Sequence, residues 1–228
     1  MTDADKAYFD MINEKAKTDE HVRCKAAADY LVRSLTSAAK TEQGIDANLL
    51  CIVLSTFTGI AVADCAKTLF EQNKGADGAD TAGAPMVKLE TKAGIFWSGD
   101  LINSILFGKQ YSVWNIVMSG YSVKKGKEAI PNLQEMVTEN AKIMGNPDVL
   151  LWAGTTNPYI EAGEAKPGFY GIKRRLEPFG LTDEEYPQAF ALALCDVIMK
   201  VDSVFPPELS SAKVAMEFVM FVSHMDLS

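Results

Sequence analysis

The uncharged stretch ANLLCIVLSTFTGIAVA, which lies between Asp46 and Asp64, constrains the fold of this chain most strongly. Its length is at the short limit of a membrane span, which needs about 20 mostly apolar residues. Serine and threonine hydroxyls interrupt it, and an acidic residue flanks each end. These features favour a fully buried central helix over residues 46–72 and argue against insertion in a membrane.

The rest of the chain predicts a mostly α fold with one small β element. Apolar residues recur at helical spacing on both sides of the central helix. The segment MVKLETKAGIFW instead alternates apolar and polar residues, which predicts a β-hairpin over about residues 86–98. Together these patterns predict a multi-helix globular domain built around the buried apolar helix.

Two segments rich in glycine are predicted to lie between these elements. NKGADGADTAGAP, at residues 73–85, has almost nothing to bury and is expected to be a flexible loop. AGTTNPYIEAGEAKPGFYG, at residues 153–171, is expected to form an ordered or partly ordered loop. Because 228 residues suffice for one sizeable core, residues 1–228 are expected to form a single globular domain.

Composition limits the compartment and the partners. A formal net charge of −8 argues against a nucleic-acid partner, which would require concentrated lysine and arginine. The N-terminal residues MTDADKAYFD lack the basic and apolar regions of a secretory signal. The 4 cysteines lie far apart in the sequence, which fits reduced thiols better than a disulfide framework. A cytoplasmic location is therefore expected.

No motif in the sequence names a reaction. The segment GYSVKKGKE has the wrong spacing for a phosphate-binding loop, and a glutamate replaces the hydroxyl that would bind magnesium. The chain has 2 histidines, so a histidine-based catalytic triad has few possible members. His21 and Cys24 share a helical face, but no second close pair of ligands accompanies them. Neither a metal nor a cofactor is expected.

The segment GIFWSGDLINSILFG, at residues 94–108, and the residues that follow it contain the best candidate ligand-binding residues. Trp97, Tyr111 and Trp114 could supply the apolar walls of a pocket, with Asp100 and Asn103 as its polar groups. The favoured alternative is purely structural. In that interpretation Asp100 is a helix N-cap whose carboxylate accepts a hydrogen bond from the backbone N–H of Asn103.

The absence of a catalytic constellation leaves two functional hypotheses. The first is a protein that acts by binding, either to a protein partner or to a second copy of itself, for which its 10 methionines would provide adaptable apolar surfaces. The alternative is a small-molecule-binding protein or an enzyme that uses carboxylate and amide groups around Asp100 and Asn103. Carboxylates perform acid–base chemistry without histidine when burial raises their pKa.

Overall fold

The computed structural model describes residues 3–73, 86–108, 110–152, 154–202, 205 and 210–227. Most of these residues are helical, so the predicted mostly α fold is confirmed. The helices are α1 (Asp3–Lys15), α2 (Val22–Ala38), α3 (Ala47–Gln72), α4 (Asp100–Asn103), α5 (Val113–Lys125), α6 (Leu133–Ile143), α7 (Pro158–Leu176), α8 (Glu185–Val201) and α9 (Ser211–Ser223). The strands are β1 (Lys40–Thr41), β2 (Gly44–Ile45), β3 (Met86–Thr91) and β4 (Gly94–Gly99).

Helix α3 is the predicted buried apolar helix, and it lies at the centre of the molecule. It packs against α7, α8 and α9, while α2 and α5 pack on α8. Asp46 starts it as an N-cap, because its Oδ1 accepts from the N–H of Leu49 at 2.9 Å. The buried hydroxyls of Thr56 and Thr58 donate to backbone carbonyls four residues earlier, at 2.8 and 2.7 Å, which offsets the cost of burying them.

By length and composition alone, α3 is also the one helix of the described chain that could cross a membrane. Most of its apolar stretch is buried inside the protein, which is what a core helix requires.

The predicted hairpin is confirmed as β3 and β4, which pair in antiparallel fashion across a two-residue turn. The C-terminal segment lies beside β4. The N–H of Trp97 donates to the carbonyl of His224 at 2.7 Å, and the N–H of Asp226 donates to that of Ile95 at 2.8 Å. A second, very short hairpin joins β1 to β2 and was not predicted, because strands of two residues carry no alternation.

The prediction of a loop at residues 153–171 is wrong for most of its length, since α7 begins at Pro158. Asn157 caps this helix, accepting from the N–H of Tyr159 at 3.0 Å, and proline is favourable at a helix start. Burial of Phe169 on the core side then outweighs the low helix propensity of the glycines.

Two further expectations are not settled by this architecture. Of the predicted flexible loop, residues 74–85 lie outside the described residues. The assignment of the whole chain to one domain stays a prediction.

Candidate functional site

Strand β4 lies between two cavities. Its side chains line both of them, because successive side chains of a strand point to opposite faces. Phe96 and Ser98 line one cavity, whereas Trp97 lines the other. The C-terminal segment contributes to both, since His224 lines the first cavity and Met225 the second. The segment GIFWSGDLINSILFG therefore borders two separate spaces and does not close around a single one.

The first space, the Asn140 cavity, has a volume of about 340 Å³. This lies within the roughly 300–1,000 Å³ typical of small-molecule pockets. Its apolar walls come from the hairpin, the π-helical turn Ser104–Gly108, α6 and α9, and include Leu89, Phe96, Phe107, Val137, Met144 and Met220. The polar residues among its lining are Thr91, Ser98, Asn103, Asn140 and His224. A mostly apolar lining with a few polar groups is typical of a ligand site.

Asn140 is the unusual residue of this cavity, because it is a buried amide that is only half satisfied. The residue is buried, with only 6% of its surface exposed. Its Nδ2 donates a hydrogen bond to the carbonyl of Glu217 on α9 at 2.9 Å. Its Oδ1 is buried and has no hydrogen-bond partner among the described residues. An unpaired buried acceptor costs about 1–3 kcal/mol, so a hydrogen-bond donor at this position would be strongly favoured.

His224 is a second polar residue of the lining, and its protonation state follows from its hydrogen bond. Its Nδ1 lies 2.7 Å from the carbonyl oxygen of Met220, and because a carbonyl only accepts, Nδ1 carries a proton and donates. Burial lowers the pKa of His224 below its ordinary value of 6.5, although the hydrogen bond to Met220 opposes this shift. The ring is therefore neutral at pH 7, and Nε2, on the other side of the ring, keeps an accepting lone pair.

The second space, the Trp97 cavity, is smaller, at about 120 Å³. One polar part of its wall is formed by Asp64, which forms an ion pair with Lys173 and accepts from the Tyr170 hydroxyl at 3.4 Å. Lys173 also lies 4.9 Å from the ring centre of Tyr186. Burial and the Asp64 charge raise the pKa of Tyr170. These groups satisfy one another, so the cluster joins α3, α7 and α8 without calling for a ligand.

Three of the predicted site residues lie in the β4–α4 segment, and they separate. Trp97 lines the Trp97 cavity and Asn103 lines the Asn140 cavity, whereas Asp100 is exposed. The prediction that Asp100 is the N-cap is wrong, because β4 continues to Gly99 and Asp100 is already the first helical residue. The N-cap is Gly99, and no side chain caps this helix.

The other two predicted residues lie elsewhere. Tyr111 is 41% exposed, and its ring centre lies 4.2 Å from that of His21 at the surface. Trp114 is buried in the core, where its ring makes an edge contact with Phe107. Phe107 lines the Asn140 cavity, so Trp114 packs behind a wall of that cavity and supports it.

Sequence reasoning missed the contributions of Asn140 and His224. One signal for Asn140 was available, since it follows the buried Met136 by four residues and so occupies the apolar face of α6. His224 carries no such signal, because its position near the end of the sequence suggested a poorly ordered segment. Its order comes from pairing with β4, which local sequence does not encode.

The thiols and possible metal ligands of the described chain suggest no other chemistry. All of the cysteines are buried. Burial raises the pKa of Cys24 and of Cys51 to about 12 and that of Cys195 to about 11, so these thiols remain protonated at neutral pH and are poor nucleophiles. Within the described ranges, no three His, Cys, Asp or Glu residues are grouped so that they could hold a metal ion.

No family model, curated protein or solved structure matches the chain. A function for this chain therefore has to be inferred from the geometry of the two cavities.

Proposed function

We propose that this protein binds a small, largely apolar molecule in the Asn140 cavity, and that the molecule donates a hydrogen bond to Asn140. The observation that carries the proposal is the buried, unpartnered Oδ1 of an asparagine that lines a cavity of ligand size. Buried polar atoms are almost always paired, and an unpaired one in a native protein calls for a specific explanation. A ligand donor supplies the missing partner.

The lining also limits the chemistry of the ligand. Asn140 Oδ1 and the Nε2 of neutral His224 are both acceptors, so they favour N–H and O–H groups and disfavour a carboxylate or phosphate. A ligand cation would have to leave water for walls that carry no carboxylate, which is costly. The site therefore suits uncharged molecules with an apolar ring and a donor, such as indoles, phenols and neutral amides.

The direct test is a thermal-shift and calorimetric screen in which neutral donors are matched with analogues of the same shape. Indoles, phenols and amides are expected to bind saturably in calorimetry and to stabilise the protein by about 2.7 kcal/mol at 100 times the dissociation constant. The matched carboxylic acids and the analogues methylated on the donor should bind at least tenfold more weakly, because they leave Oδ1 unpaired. Equal binding of donors and methylated analogues, or no binding of any donor, contradicts the proposal.

Substitution of Asn140 with leucine separates binding from stability. We expect Asn140→Leu to leave the free energy of unfolding unchanged or to raise it by up to about 1 kcal/mol, because it removes an unpaired buried acceptor. The Glu217 carbonyl keeps its helical partner, the N–H four residues later in α9. Ligand binding should weaken at least tenfold, since the neutral hydrogen bond between the ligand donor and Asn140 Oδ1 is lost.

Ser55→Ala is the matched control, because Ser55 Oγ is the other buried side-chain nitrogen or oxygen atom of the described chain that has no hydrogen-bond partner. Ser55 lies within the core helix α3 and does not line the Asn140 cavity. This variant should also be as stable as the wild type or more so, but it should bind ligand normally. Denaturant unfolding and isothermal titration of both variants measure the two effects. A loss of binding in both would assign the effect to the core in general and not to the cavity.

A further inference from the structure

In the part of the chain that the structure describes, strand β3 has one edge that is open to pairing with another strand. Among the described residues it pairs only with β4, on one side. Residues 87–90 are all exposed, and they include two apolar side chains, Val87 at 53% and Leu89 at 43% exposure. Exposed edges with apolar side chains are templates for pairing with a further strand, and many proteins protect them for this reason.

The register of the hairpin decides which backbone groups are offered. Thr91 and Gly94 face each other across the two-residue turn, and they close the hairpin as a hydrogen-bonded pair. Hydrogen-bonded pairs alternate with non-hydrogen-bonded ones, so Leu89 also directs its N–H and C=O groups toward β4. Lys88 and Glu90 direct theirs away from β4, at the open edge. Any added strand must therefore bond to the backbone of Lys88 and Glu90.

We propose that the occupant of this edge is a second copy of the protein, paired through β3 in antiparallel fashion around a twofold axis at Leu89. In this register Lys88 lies opposite Glu90 of the second copy, and Glu90 lies opposite its Lys88. The two copies thus form two hydrogen-bonded backbone pairs, each with opposite side-chain charges across it. The same surface is used by both copies, as a twofold interface requires.

Charge selects this register over its neighbours. Because the outward-facing residues alternate, the pairing can shift only by two residues at a time. A shift one way places Lys88 opposite Lys88 of the second copy, and a shift the other way places Glu90 opposite Glu90. Like charges directly opposite each other destabilise a sheet. Within the strand, Lys88 Nζ lies 3.4 Å from Glu90 Oε1, which shows that the two side chains share one face and can form a four-charge cluster.

The other face of the strand gains apolar contacts in the same register. Leu89 lies opposite Leu89 of the second copy, and Val87 lies opposite its Thr91, so the exposed apolar side chains of β3 are covered. Leu89 and Thr91 also line the Asn140 cavity, so the interface would share these two residues with the wall of the proposed ligand site. Since the contact is short, the dimer is expected to be weak, with a dissociation constant of roughly micromolar order.

Charge reversal and charge exchange test the register in solution. By sedimentation velocity over a range of about 1–500 µM, the wild type should show a reversible monomer–dimer equilibrium. Lys88→Glu and Glu90→Lys should each weaken the dimer at least about tenfold, because each places like charges opposite one another at both symmetric positions. The exchanged variant K88E/E90K should restore the wild-type constant, since opposite charges face each other again. A wild type that stays monomeric throughout, or an exchange that restores nothing, overturns the proposal.

Cross-linking tests the position of the twofold axis independently. In a non-hydrogen-bonded antiparallel pair the Cα atoms are about 4.5 Å apart, which a disulfide can span. Leu89→Cys should therefore form a disulfide-linked dimer under mild oxidation. Val123→Cys is the control, since Val123 is 89% exposed but lies on α5, and the native cysteines are buried. Faster linking of Leu89→Cys supports the register, and equal rates for the two variants contradict it.

Discussion

Substitution of Asp202 with alanine is expected to lower the free energy of unfolding by about 3 kcal/mol, because it breaks a buried polar network. Asp202 is 9% exposed and lies at the end of α8. Its Oδ1 accepts from the hydroxyls of Tyr121 on α5 and Ser211 on α9, at 3.2 and 2.6 Å, and its Oδ2 pairs with Lys125. Without the carboxylate, the two buried hydroxyls lose this acceptor and the three helices lose a common anchor.

Denaturant unfolding at neutral pH measures this effect, and Asp196→Ala is the matched control. Asp196 lies on the same helix and also pairs with a lysine, Lys200, but the pair is exposed. Exposed ion pairs contribute about 0–1 kcal/mol, so the control should lose little stability. Similar losses in the two variants would show that the buried network around Asp202 contributes no more than a surface pair.

The same carboxylate makes stability depend on acid pH. Burial alone would raise the pKa of Asp202, but the hydrogen bonds from Lys125, Ser211 and Tyr121 outweigh it and hold the pKa below the ordinary value of 3.8. Its contribution is therefore present above pH 3.8 and is lost as the pH falls through the lower pKa of the folded state. The difference in unfolding free energy between the wild type and Asp202→Ala should shrink as the pH falls below 3.8. A difference that stays constant over this range would contradict the assignment.

The second large effect is expected at Gly59, where α3 packs tightly against α9. A Cβ atom at Gly59 would lie 2.7 Å from Cβ of Val222 and 3.0 Å from the carbonyl oxygen of Val219. Neither atom can move without shifting the backbone of α9. We expect Gly59→Ala to lower the free energy of unfolding by about 2 kcal/mol, although alanine favours the helix by about 1 kcal/mol.

Gly171→Ala is the matched control for Gly59→Ala, and we expect it to change the free energy of unfolding in the opposite direction. Gly171 lies within α7, and a Cβ atom there would have nothing within 4 Å. The substitution should stabilise the protein by about 0.5–1 kcal/mol, because only the helix propensity changes. Thermal and denaturant unfolding of the two variants give the comparison. If both substitutions were stabilising, the contact between α3 and α9 would have to be looser than the structure shows.

Sequence patterns predicted those elements whose signals are local. The length and lack of charge of the central stretch identified α3, and the acceptor at Asp46 explains where it begins. The alternation of apolar and polar residues identified the hairpin, because both of its strands lie within one short segment. Helix α7 was missed because its glycines and prolines oppose a helix locally, while the burial that stabilises it depends on distant partners.

The candidate site was predictable only in part, for the same reason. Trp97 and Asn103 each border a cavity, but the two cavities are different, because strand β4 lies between them. Only the three-dimensional packing reveals this separation. Asp100 was predicted to be the N-cap because aspartate is a favoured capping residue, yet the helix begins one residue earlier than expected. Gly99, the last residue of the strand, occupies the cap position and has no side chain that could accept a hydrogen bond. Asn140 and His224 line the same cavity from α6 and from the C-terminal segment, which lie far apart in the sequence.

The pairing of the C-terminal segment with β4 has a consequence for the kinetics of folding. The bridge between Phe96 and Met225 joins parts of the chain that are very distant in sequence, and we expect this contact to form late in folding because closing a long loop costs entropy. Until they form, the Asn140 cavity lacks His224. A ligand of that cavity would therefore meet only the completed native state. It should slow unfolding in proportion to its occupancy and leave the refolding rate unchanged.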